Sequence, residues 1–384
     1  MIRHEQGSEC GGPQPLLRPL DLGGLRLPNR VVMAPATRAR AANADLAPTD
    51  LHAAYYAQRA GAGLIVAEGA WVSERAIGFP DVPGVFSERQ VAGWSRVTGV
   101  VHALGGRIVL QLWHTGANSH PDHLGGALPW GPSAIDPGEV SPTPSGRKAT
   151  VTPHAMTLAD IERTVADYRA AAENARRAGF DGVEIAANGT YLLAQFLNPR
   201  LNRRADAYGA RRDRLPLEVV DAVTEVWGER RVGVRLSPFW SEADRPRGPR
   251  PRGAYPFASD EEIRAGHDRL VAALDGRALA YLHLRGPSPS APGARPDFDA
   301  FARYRKLFNG PLIANNGFGR ESGNAIVEAG LADAVSFARL FIANPDLVSR
   351  FALGLEPAAG DGSTHYTGGA RGYVDYPIWP AGSA

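Results

Sequence analysis

Residues 182–196, GVEIAANGTYLLAQF, begin as an apolar run and turn polar just before a lone tyrosine, Tyr191. A tyrosine at the end of a buried strand can be a packing residue or an acid that donates a proton. Two carboxylates, Glu68 and Glu184, also lie near the ends of apolar runs, and paired carboxylates can hydrolyse glycosidic bonds. Each carboxylate is flanked by apolar residues, however, and could equally be an interior acid bound to a nearby arginine. These residue types leave proton transfer, hydrolysis and structural roles open.

Three further side chains favour a flat, electron-rich ligand. Gln111 and Trp113 lie two residues apart in RIVLQLWHTG, so a strand would point both toward the same side. A glutamine amide donates and accepts hydrogen bonds at once, which suits the lactam-like edge of a heterocycle, and Trp113 would form a wall. A packed tryptophan with a structural glutamine is the alternative. Arg235 lies within the apolar run VGVRLSP with no anionic partner close in sequence, so it could stabilise negative charge on a ring system.

Eight short apolar runs recur along the chain, each ending in small or polar residues. In order they are RVVMAP, GLIVAEGA, RIVLQLWHTG, GVEIAANG, VGVRLSPF, AYLHLRG, PLIANNGF and AVSFARLF. Segments with helical periodicity separate them, and one begins at Thr157 with a Thr-x-x-Asp start that resembles a capping box and continues to Arg177. This alternation predicts an α/β fold with a parallel sheet, and eight units favour a closed (β/α)8 TIM barrel over an open doubly wound sheet.

The last two units are candidates for phosphate binding. They contain ANNGFG (314–319) and FARLF (337–341), and in many barrels the loops after strands seven and eight bind a phosphate through backbone N–H groups. Glycine lets the backbone approach closely, and Arg339 could clamp the phosphate with two hydrogen bonds. An ordinary strand-to-helix turn is the alternative. Because no His, Asp or Glu cluster has metal-ligand spacing, a phosphorylated cofactor is favoured over a metal.

Two long connections interrupt the alternation. Residues 116–156 are rich in Pro, Gly and Ser and are expected to form a lid or small subdomain over the barrel mouth. Residues 238–258 contain RPRGPRPRG (245–253), and five prolines from Pro238 to Pro256 exclude a helix. That loop is either mobile and solvated or a guanidinium cluster that selects an anionic substrate. We expect a flexible leader over residues 1–14 and a single barrel domain over residues 15–380.

The bulk composition excludes several classes of protein. The formal net charge of +2 implies no strong field for nucleic acid or membranes. The single cysteine, Cys10, excludes an internal disulfide framework, a cysteine zinc site and an iron–sulfur cluster. The chain shows no signal peptide and no window of about 18 apolar residues. We therefore expect a soluble cytoplasmic protein that acts on a small molecule.

Taken in order, the motifs resemble the old yellow enzyme family of FMN-dependent ene reductases, which are NADH:flavin oxidoreductases. The likeness runs from about Leu16 to Tyr376. It rests on PLDLGGLRLPNRVVMAPATRAR, YYAQRAGAGLIVAEG, LQLWHTG, LLAQFL, FIANPDLV and GYVDYP, each in its place. No single motif is decisive, but the ordered set is very specific. The resemblance implies a TIM barrel with an N-terminal hairpin lid, FMN as cofactor, and NADPH or NADH as reductant.

The resemblance also implies roles for individual residues. The flavin ring would be lined by Ala34, Pro35, Ala36 and Thr37, with the Thr37 hydroxyl near the C4 carbonyl, where it tunes the redox potential. Gly69 would contact the ring by its backbone, Gln111 would bond the pyrimidine edge, and Arg235 would lie by the N1–C2 region. The phosphate would be held by Asn316, Gly317, Ala338 and Arg339. The substrate pocket would be formed by Trp113, Asn188, Gly189, Tyr191 and Tyr366.

The mechanism implied by the resemblance has two half-reactions. NADPH reduces FMN, and reduced flavin N5 then gives hydride to the β-carbon of an activated alkene. A tyrosine protonates the α-carbon from the opposite face, and Tyr191 matches that tyrosine.

The sequence departs from the family in the motif that activates the substrate. The family pattern after the fourth strand is His-x-x-Asn/His-Gly-Tyr, whose His and Asn/His donate hydrogen bonds to the substrate's carbonyl or nitro oxygen. Here those positions are Ala186 and Gly189. Asn188 restores one donor if the turn is shifted by one residue, with Thr190 as an insertion, but the second donor is absent in either case. Smaller departures are Ala338, where the family usually has Gly, and Ala117, where an Arg is common.

Three functional interpretations follow. In the first, the protein is an ene reductase of altered scope, in which Asn188, Thr190, His114 or the loop arginines activate an unsaturated carbonyl. In the second, the flavin serves desaturation, isomerisation or oxidation of a specialised metabolite. The third is a flavin-binding protein without catalysis, against which Thr37, Gln111 and Arg235 argue because all three are present. The sequence identifies neither the substrate nor the oligomeric state, monomer or homodimer.

Overall fold

A computed structural model of the chain describes residues 14–228, 230–245, 255–291 and 294–379. Its centre is a closed barrel of eight parallel strands, in which each strand pairs with its neighbours in sequence and the last pairs with the first. The strands are β1 (Val31–Met33), β2 (Leu64–Trp71), β3 (Ile108–Trp113), β4 (Gly182–Ala186), β5 (Val232–Leu236), β6 (Tyr281–Arg285), β7 (Leu312–Asn315) and β8 (Ala334–Phe337). All eight apolar runs therefore form strands, and the predicted TIM barrel is confirmed.

Helices surround the barrel and connect its strands. In chain order they are α1 (Asp50–Ala57), α2 (Glu88–Ala103), α3 (Leu158–Arg177), α4 (Leu192–Leu197), α5 (Ala207–Ala210), α6 (Arg214–Trp227), α7 (Glu261–Asp275), α8 (Phe298–Arg305), α9 (Arg320–Glu328), α10 (Arg339–Ala343) and α11 (Leu347–Leu353). The predicted capping box is confirmed, because Thr157 and Asp160 exchange side-chain and backbone hydrogen bonds at the start of α3. Helix α3 ends before Gly179, whose φ of 85° is costly for other residues.

An antiparallel hairpin closes the end of the barrel where the strands begin. Its strands, Leu20–Leu22 and Leu25–Leu27, are joined by Gly23 and Gly24, which both have positive φ, as a tight two-residue hairpin turn requires. Buried leucines of the hairpin pack against side chains from the beginnings of several barrel strands. The predicted hairpin lid therefore lies at the end opposite the carboxyl ends of the strands. It leaves the other end of the barrel, called the mouth below, for function.

The long connection after β3 forms two small sheets. Trp130–Gly131 pairs with His154–Ala155, and Val140–Thr143 pairs with Gly146–Ala149. The connection contacts the loop that follows β5, because Ile135 packs against a buried cluster that contains Tyr255 and Phe257. The two long connections of the sequence thus meet each other on the mouth side of the barrel.

Two of the sequence predictions fall largely outside the described residues. Residues 1–13 of the expected leader are not described, whereas Gln14 hydrogen-bonds to the backbone carbonyl of Phe351 at 2.9 Å. In the Arg/Pro-rich loop 245–253, only Arg245 is described, and it donates to the carbonyl of Gly138 at 2.6 Å. Within the described parts of the chain, no helix is long and apolar enough to cross a membrane.

Candidate active site

A connected set of buried polar side chains from β3, β4, β6 and β8 lies inside the barrel. Gln111 and Glu184 are direct neighbours in the sheet register, and Gln111 Nε2 donates to Glu184 Oε1 at 2.8 Å. His283 Nδ1 lies 2.7 Å from the other carboxylate oxygen of Glu184, and His283 Nε2 lies 2.7 Å from Ser336 Oγ. Burial opposes the charge of Glu184, but His283 and Arg235 outweigh it and lower the pKa of the carboxyl group. These contacts fix the orientation of the Gln111 amide.

Both carboxylates that suggested a hydrolase are interior groups. Glu184 is fully buried in the network just described. Glu68 is also buried, accepts a hydrogen bond from the backbone N–H of Arg38 at 3.2 Å and contacts Tyr56. Burial raises the pKa of Glu68 to about 7, against the lowering effect of the Arg38 N–H and charge. Neither carboxylate can flank a glycosidic bond, so the hydrolase interpretation is wrong.

Arg235 has fewer partners than a buried guanidinium needs. Its Nη2 donates to Asn315 Oδ1 at 3.0 Å, and its Nε is buried with no hydrogen-bond partner among the described residues. Burial lowers the pKa of Arg235, an effect that the Glu184 charge opposes. An unpaired donor on a buried cation costs free energy unless a ligand accepts from it. The side chain therefore fits an anionic ring edge at the barrel mouth.

Gly69 pairs with Gln111 of the next strand, and its lack of a side chain lets a ligand approach the backbone closely. It follows a β-bulge in β2, and a Cβ atom at this position would lie 2.7 Å from the Trp113 ring and 3.1 Å from Gln111 Oε1. A larger residue would collide with both side chains. Gly69, Gln111, Glu184 and Arg235 are called the floor of the site below, because they close the barrel mouth from beneath.

The loop after β1 lies beside this floor. Ala34 is buried and donates its backbone N–H to the carbonyl of Phe337 at 3.1 Å, whereas Pro35, Ala36 and Thr37 are half-buried. The Thr37 hydroxyl makes no hydrogen bond to any other described residue. It therefore remains available to a ligand.

The expected phosphate site has one feature that its sequence did not indicate. Asn316 and Gly317 have φ values of 89° and 80°, so the backbone turns sharply after β7. The Asn316 side chain donates to the carbonyls of Gly286 and Pro287, both at 3.1 Å, and so braces the neighbouring loop. Ala338 caps helix α10, and the Arg339 side chain is exposed. The side chain of Asn316 is committed elsewhere, which leaves its backbone as the part that could meet a phosphate.

Tyr191 follows β4 and packs beside Trp113. Its ring meets the Trp113 ring edge to face, with centroids 4.8 Å apart and planes at 71°, and Trp113 in turn stacks on Trp71. No described residue hydrogen-bonds to the Tyr191 hydroxyl. Burial raises the pKa of Tyr191 far above its usual value, and the charges of Tyr366 and Glu139 add to that effect. The phenol therefore stays protonated at neutral pH.

The turn that precedes Tyr191, residues 186–190, is called the activating turn below. Gly189 has a φ of 66°, and its backbone N–H donates to Ser237 Oγ at 2.5 Å, so this N–H is not available to a ligand. Ala186 is buried and has no polar side-chain atom. Thr190 Oγ1 is hydrogen-bonded to Asn118 Nδ2. Asn188 is half-buried, and its Oδ1 has no partner among the described residues.

Two other groups that the sequence suggested as substitutes are less suited to the task. The backbone N–H of Gly116 donates to His114 Nδ1 at 3.0 Å, and burial lowers the pKa of His114 to about 3. His114 is therefore a neutral interior residue. Arg245, from the Arg/Pro-rich loop, is bound to the Gly138 carbonyl and lies over the Tyr255 ring. Asn188 remains as the side-chain amide nearest in sequence to the missing donors.

Sequence reasoning missed a polar cluster beside Tyr191. Tyr255 donates to Glu139 Oε1 at 2.5 Å and accepts from Trp240 Nε1 at 3.1 Å. Burial raises the pKa of Glu139, and the carboxyl is close enough to Tyr191 to raise the pKa of that phenol. These residues lie on two separate long connections, so no spacing in the sequence links them. Tyr366, the remaining residue of the expected substrate pocket, has its ring centroid 5.4 Å from that of Phe79.

The floor fits the isoalloxazine ring of a flavin. Arg235 offers an unpaired buried donor, Gly69 opens a flat approach, and Gln111 presents a fixed amide. The barrel therefore combines this floor with a tyrosine whose hydroxyl makes no hydrogen bond to a described residue. The combination defines the class of protein as a flavin-dependent oxidoreductase.

Comparisons with known proteins agree with this class. Residues 15–357 match the model of the NADH:flavin oxidoreductase / NADH oxidase family. The solved structure of morphinone reductase is 41% identical, covers 98% of this chain and 99% of its own, and superposes with a TM-score of 0.87. The 12-oxophytodienoate reductase 1 of Oryza sativa subsp. japonica is 38% identical over 95% of this chain and 93% of its own length. The flavin oxidoreductase hxnT of Emericella nidulans is 37% identical over 95% and 98%.

The chain belongs to the NADH:flavin oxidoreductase / NADH oxidase family, which is the old yellow enzyme family. It is an FMN-dependent oxidoreductase that uses NAD(P)H as reductant. The third interpretation, a flavin-binding protein without catalysis, is therefore wrong.

Proposed function

We propose that the protein reduces the activated C=C bond of a small unsaturated carbonyl compound, with Tyr191 as the proton donor. The observation that carries this proposal is the Tyr191 hydroxyl, which has a raised pKa and no partner among the described residues. The Tyr191 ring contacts Trp113, and Trp113 in turn lies next to Gly69 of the floor. A substrate held above the floor would have the phenol on its other face.

Bound FMN supplies the hydride for this class of reaction. The chain's own part begins with the floor, where Gln111 and Arg235 would orient the ring, with Thr37 at its edge. Trp113 and Tyr366 then limit the space in which a substrate can lie. Tyr191 donates the proton from its hydroxyl to the α-carbon, and its raised pKa keeps that proton in place until negative charge develops there.

Substrate activation is the step for which this chain is poorly equipped. An oxyanion site normally needs donors directed at the developing negative charge, and each lost donor typically costs about 10²–10³ in rate. Ala186 supplies none, and the backbone N–H of Gly189 is bound to Ser237. We assign the one remaining donor to Nδ2 of Asn188, a half-buried residue whose side chain makes no hydrogen bond to another described residue. The preferred substrates are then alkenes that carry strong activation of their own.

The missing donors also favour a second candidate function. A flavoenzyme that desaturates, isomerises or oxidises a specialised metabolite would keep the floor and would not need an oxyanion site. Under this alternative, Tyr191 would still hold or accept a proton, but no external alkene would be saturated. The retained Tyr191 hydroxyl favours the first candidate, because its raised pKa suits an acid better than a base at neutral pH.

Turnover with defined alkenes separates the two candidates. The FMN-loaded protein would be mixed without oxygen with NADPH or NADH and with either N-methylmaleimide, whose alkene is activated by two carbonyls, or cyclohexenone. We expect saturated product from the maleimide, measured by mass spectrometry, and much less from cyclohexenone. Normal flavin reduction with no saturated product from either alkene would exclude the first candidate.

A further inference from the structure

Two buried arginines that follow Thr37 hold the segment that carries Tyr366. The side chains of Arg38 and Arg40 donate to backbone carbonyl groups of residues 364–372, called the C-terminal segment here. Arg40 Nη1 also donates to the backbone carbonyl of Arg38. The principal bonds are Arg38 Nε to His365 (3.0 Å), Arg38 Nη2 to Gly372 (2.6 Å), Arg40 Nη2 to Thr364 (2.7 Å) and Thr367 (2.6 Å), and Arg40 Nε to Gly369 (2.8 Å). The carbonyls of this segment therefore surround the two guanidinium groups.

Aromatic rings enclose the two arginines and keep them away from solvent. Arg38 and Arg40 lie over the ring of Tyr373, at 5.1 and 5.0 Å from its centroid, and Tyr373 stacks on Tyr55 at 4.1 Å. Burial lowers the pKa of Arg40, and the like charge of Arg38 adds to that effect. A buried guanidinium needs acceptors for its donors, and the C-terminal segment supplies them for Nε and Nη2 of both arginines, whereas Arg38 Nη1 has no partner among the described residues.

Tyr366 depends on this anchoring because its own side chain makes few contacts. The side chain is 52% exposed, and it contacts Phe79 and His365. The residues on either side of it, His365 and Thr367, both have their carbonyls bound by the arginines. Tyr366 is nevertheless close enough to Tyr191 for its charge to raise the pKa of that phenol. The backbone anchors on both sides of Tyr366, rather than side-chain packing, therefore fix its position.

We propose that Arg40 is a positioning residue that sets the width of the substrate space between Tyr366 and Tyr191. The substrate-facing part of this proposal rests on the proposed function, whereas the anchoring itself does not. Arg40 acts through the C-terminal segment and lies three residues after Thr37, so one loop contributes to both the flavin side and the substrate side. Lysine would keep the positive charge but lacks the planar fork that reaches several carbonyls at once. Arg40→Lys therefore removes the anchoring and retains the charge.

The first experiment measures the anchoring without any turnover. Hydrogen exchange of the backbone amides in residues 364–372 would be followed in the FMN-loaded wild type, Arg40→Lys and the control Arg371→Lys. Arg371 lies in the same segment, but its side chain is 76% exposed. We expect faster exchange in Arg40→Lys alone, with an unchanged ratio of FMN to protein. Equal exchange in all three proteins would overturn the proposal.

The second experiment tests whether the effect passes through Tyr366. With N-methylmaleimide as substrate, Arg40→Lys should raise KM about tenfold, as expected for loss of hydrogen bonds to a charged group, and should leave kcat within about twofold. In the Tyr366→Ala background, the same change should raise KM little further, because the wall it positions is already gone. An equal increase in KM in both backgrounds would overturn the proposal.

The outcomes also separate this proposal from the proposed function. If the wild type saturates no alkene, the proposed function fails, and the exchange experiment still decides whether Arg40 anchors the C-terminal segment. If Arg40→Lys does not fold, Arg38→Lys is measured in its place, since Arg38 holds the same segment through the carbonyls of His365 and Gly372. No faster exchange in a folded Arg38→Lys protein would then contradict the account.

Discussion

The floor and the activating turn are adjacent parts of one barrel mouth, yet they differ in how their polar groups are used. In the floor, Gln111 and Glu184 form a continuous buried network beside Arg235, and His283 extends this network from β6. In the activating turn, Ala186 carries no polar side chain, and Asn188 Oδ1 has no partner among the residues described. The difference indicates that cofactor binding and substrate activation are separable properties of this fold. Under the proposed function, the chain keeps the first and differs from the family pattern in the second.

Substitution of Tyr191, the proposed proton donor, should show the largest effect on product formation. Tyr191→Phe keeps the ring contact with Trp113 and removes the hydroxyl. We expect product formation from N-methylmaleimide to fall by about 10²–10⁴, while flavin reduction by NAD(P)H changes little. Stopped-flow absorbance of each half-reaction measures both. Tyr168→Phe is the matched control, since Tyr168 is buried in α3 and its hydroxyl also has no partner among the described residues.

Substitution of Arg235 should impair the flavin half-reaction rather than the substrate half-reaction. Arg235→Met keeps much of the volume and removes the buried cation with its unpaired Nε. We expect the rate of flavin reduction to fall by about 10²–10³, with weaker FMN binding, because charge developing on the ring loses its preorganised partner. Arg231→Met is the control, because Arg231 precedes β5 at the opposite end of the barrel. Equal reduction rates in wild type and Arg235→Met would remove the floor from the mechanism.

The activating turn should gain from a restored donor. Gly189→Asn suits the backbone, because asparagine tolerates the positive φ of 66° better than other side chains do. The new Cβ would lie 3.3 Å from the Tyr191 ring, a tight but adjustable contact. We expect the reduction of cyclohexenone to speed up by about 10². Gly189→Ala adds a Cβ at the same position without a donor, so equal rates in the two variants would contradict this account of the turn.

Glu68→Gln should have the smallest effect, and that effect should fall on the free energy of unfolding rather than on a reaction rate. Its folded pKa of about 7 lies above its ordinary value, so the stability that this group contributes is present at low pH and is lost as the pH rises through 7. Glu68→Gln keeps an acceptor for the Arg38 N–H and removes the titration. Between pH 5.5 and 7.5 the wild type should lose about 2 kcal/mol of unfolding free energy relative to the variant. Chemical denaturation at the two pH values measures this, and parallel behaviour of the two proteins would contradict it.

The barrel could be predicted from sequence because every strand is buried on both faces and therefore reads as a continuous apolar run. The same burial made the odd polar residue visible, as with Arg235 inside VGVRLSP. The activating turn was also visible, since the absence of two donor side chains is a property of residue identity alone.

The parts that could not be predicted depend on contacts between distant segments. The cluster of Glu139, Tyr255 and Trp240 joins two long connections that have no regular pattern. The contact of the Asn316 side chain with the loop after β6 has no sign in the sequence, whereas the phosphate role of Asn316 stays a prediction. The sequence around Arg40 indicates no role for it, and only the folded path of residues 364–372 shows its carbonyl partners.

The most direct test of the separation between floor and activating turn is the anaerobic mixing of reduced, FMN-loaded protein with cyclohexenone or N-methylmaleimide. Flavin absorbance would report reoxidation in the wild type and in Asn188→Ala. The account predicts reoxidation by the maleimide at least about 10² faster than by cyclohexenone, and a further loss with cyclohexenone in Asn188→Ala. Equally fast reoxidation by both alkenes, unaffected by Asn188→Ala, would show that the mouth contains a complete oxyanion site elsewhere and would contradict the account.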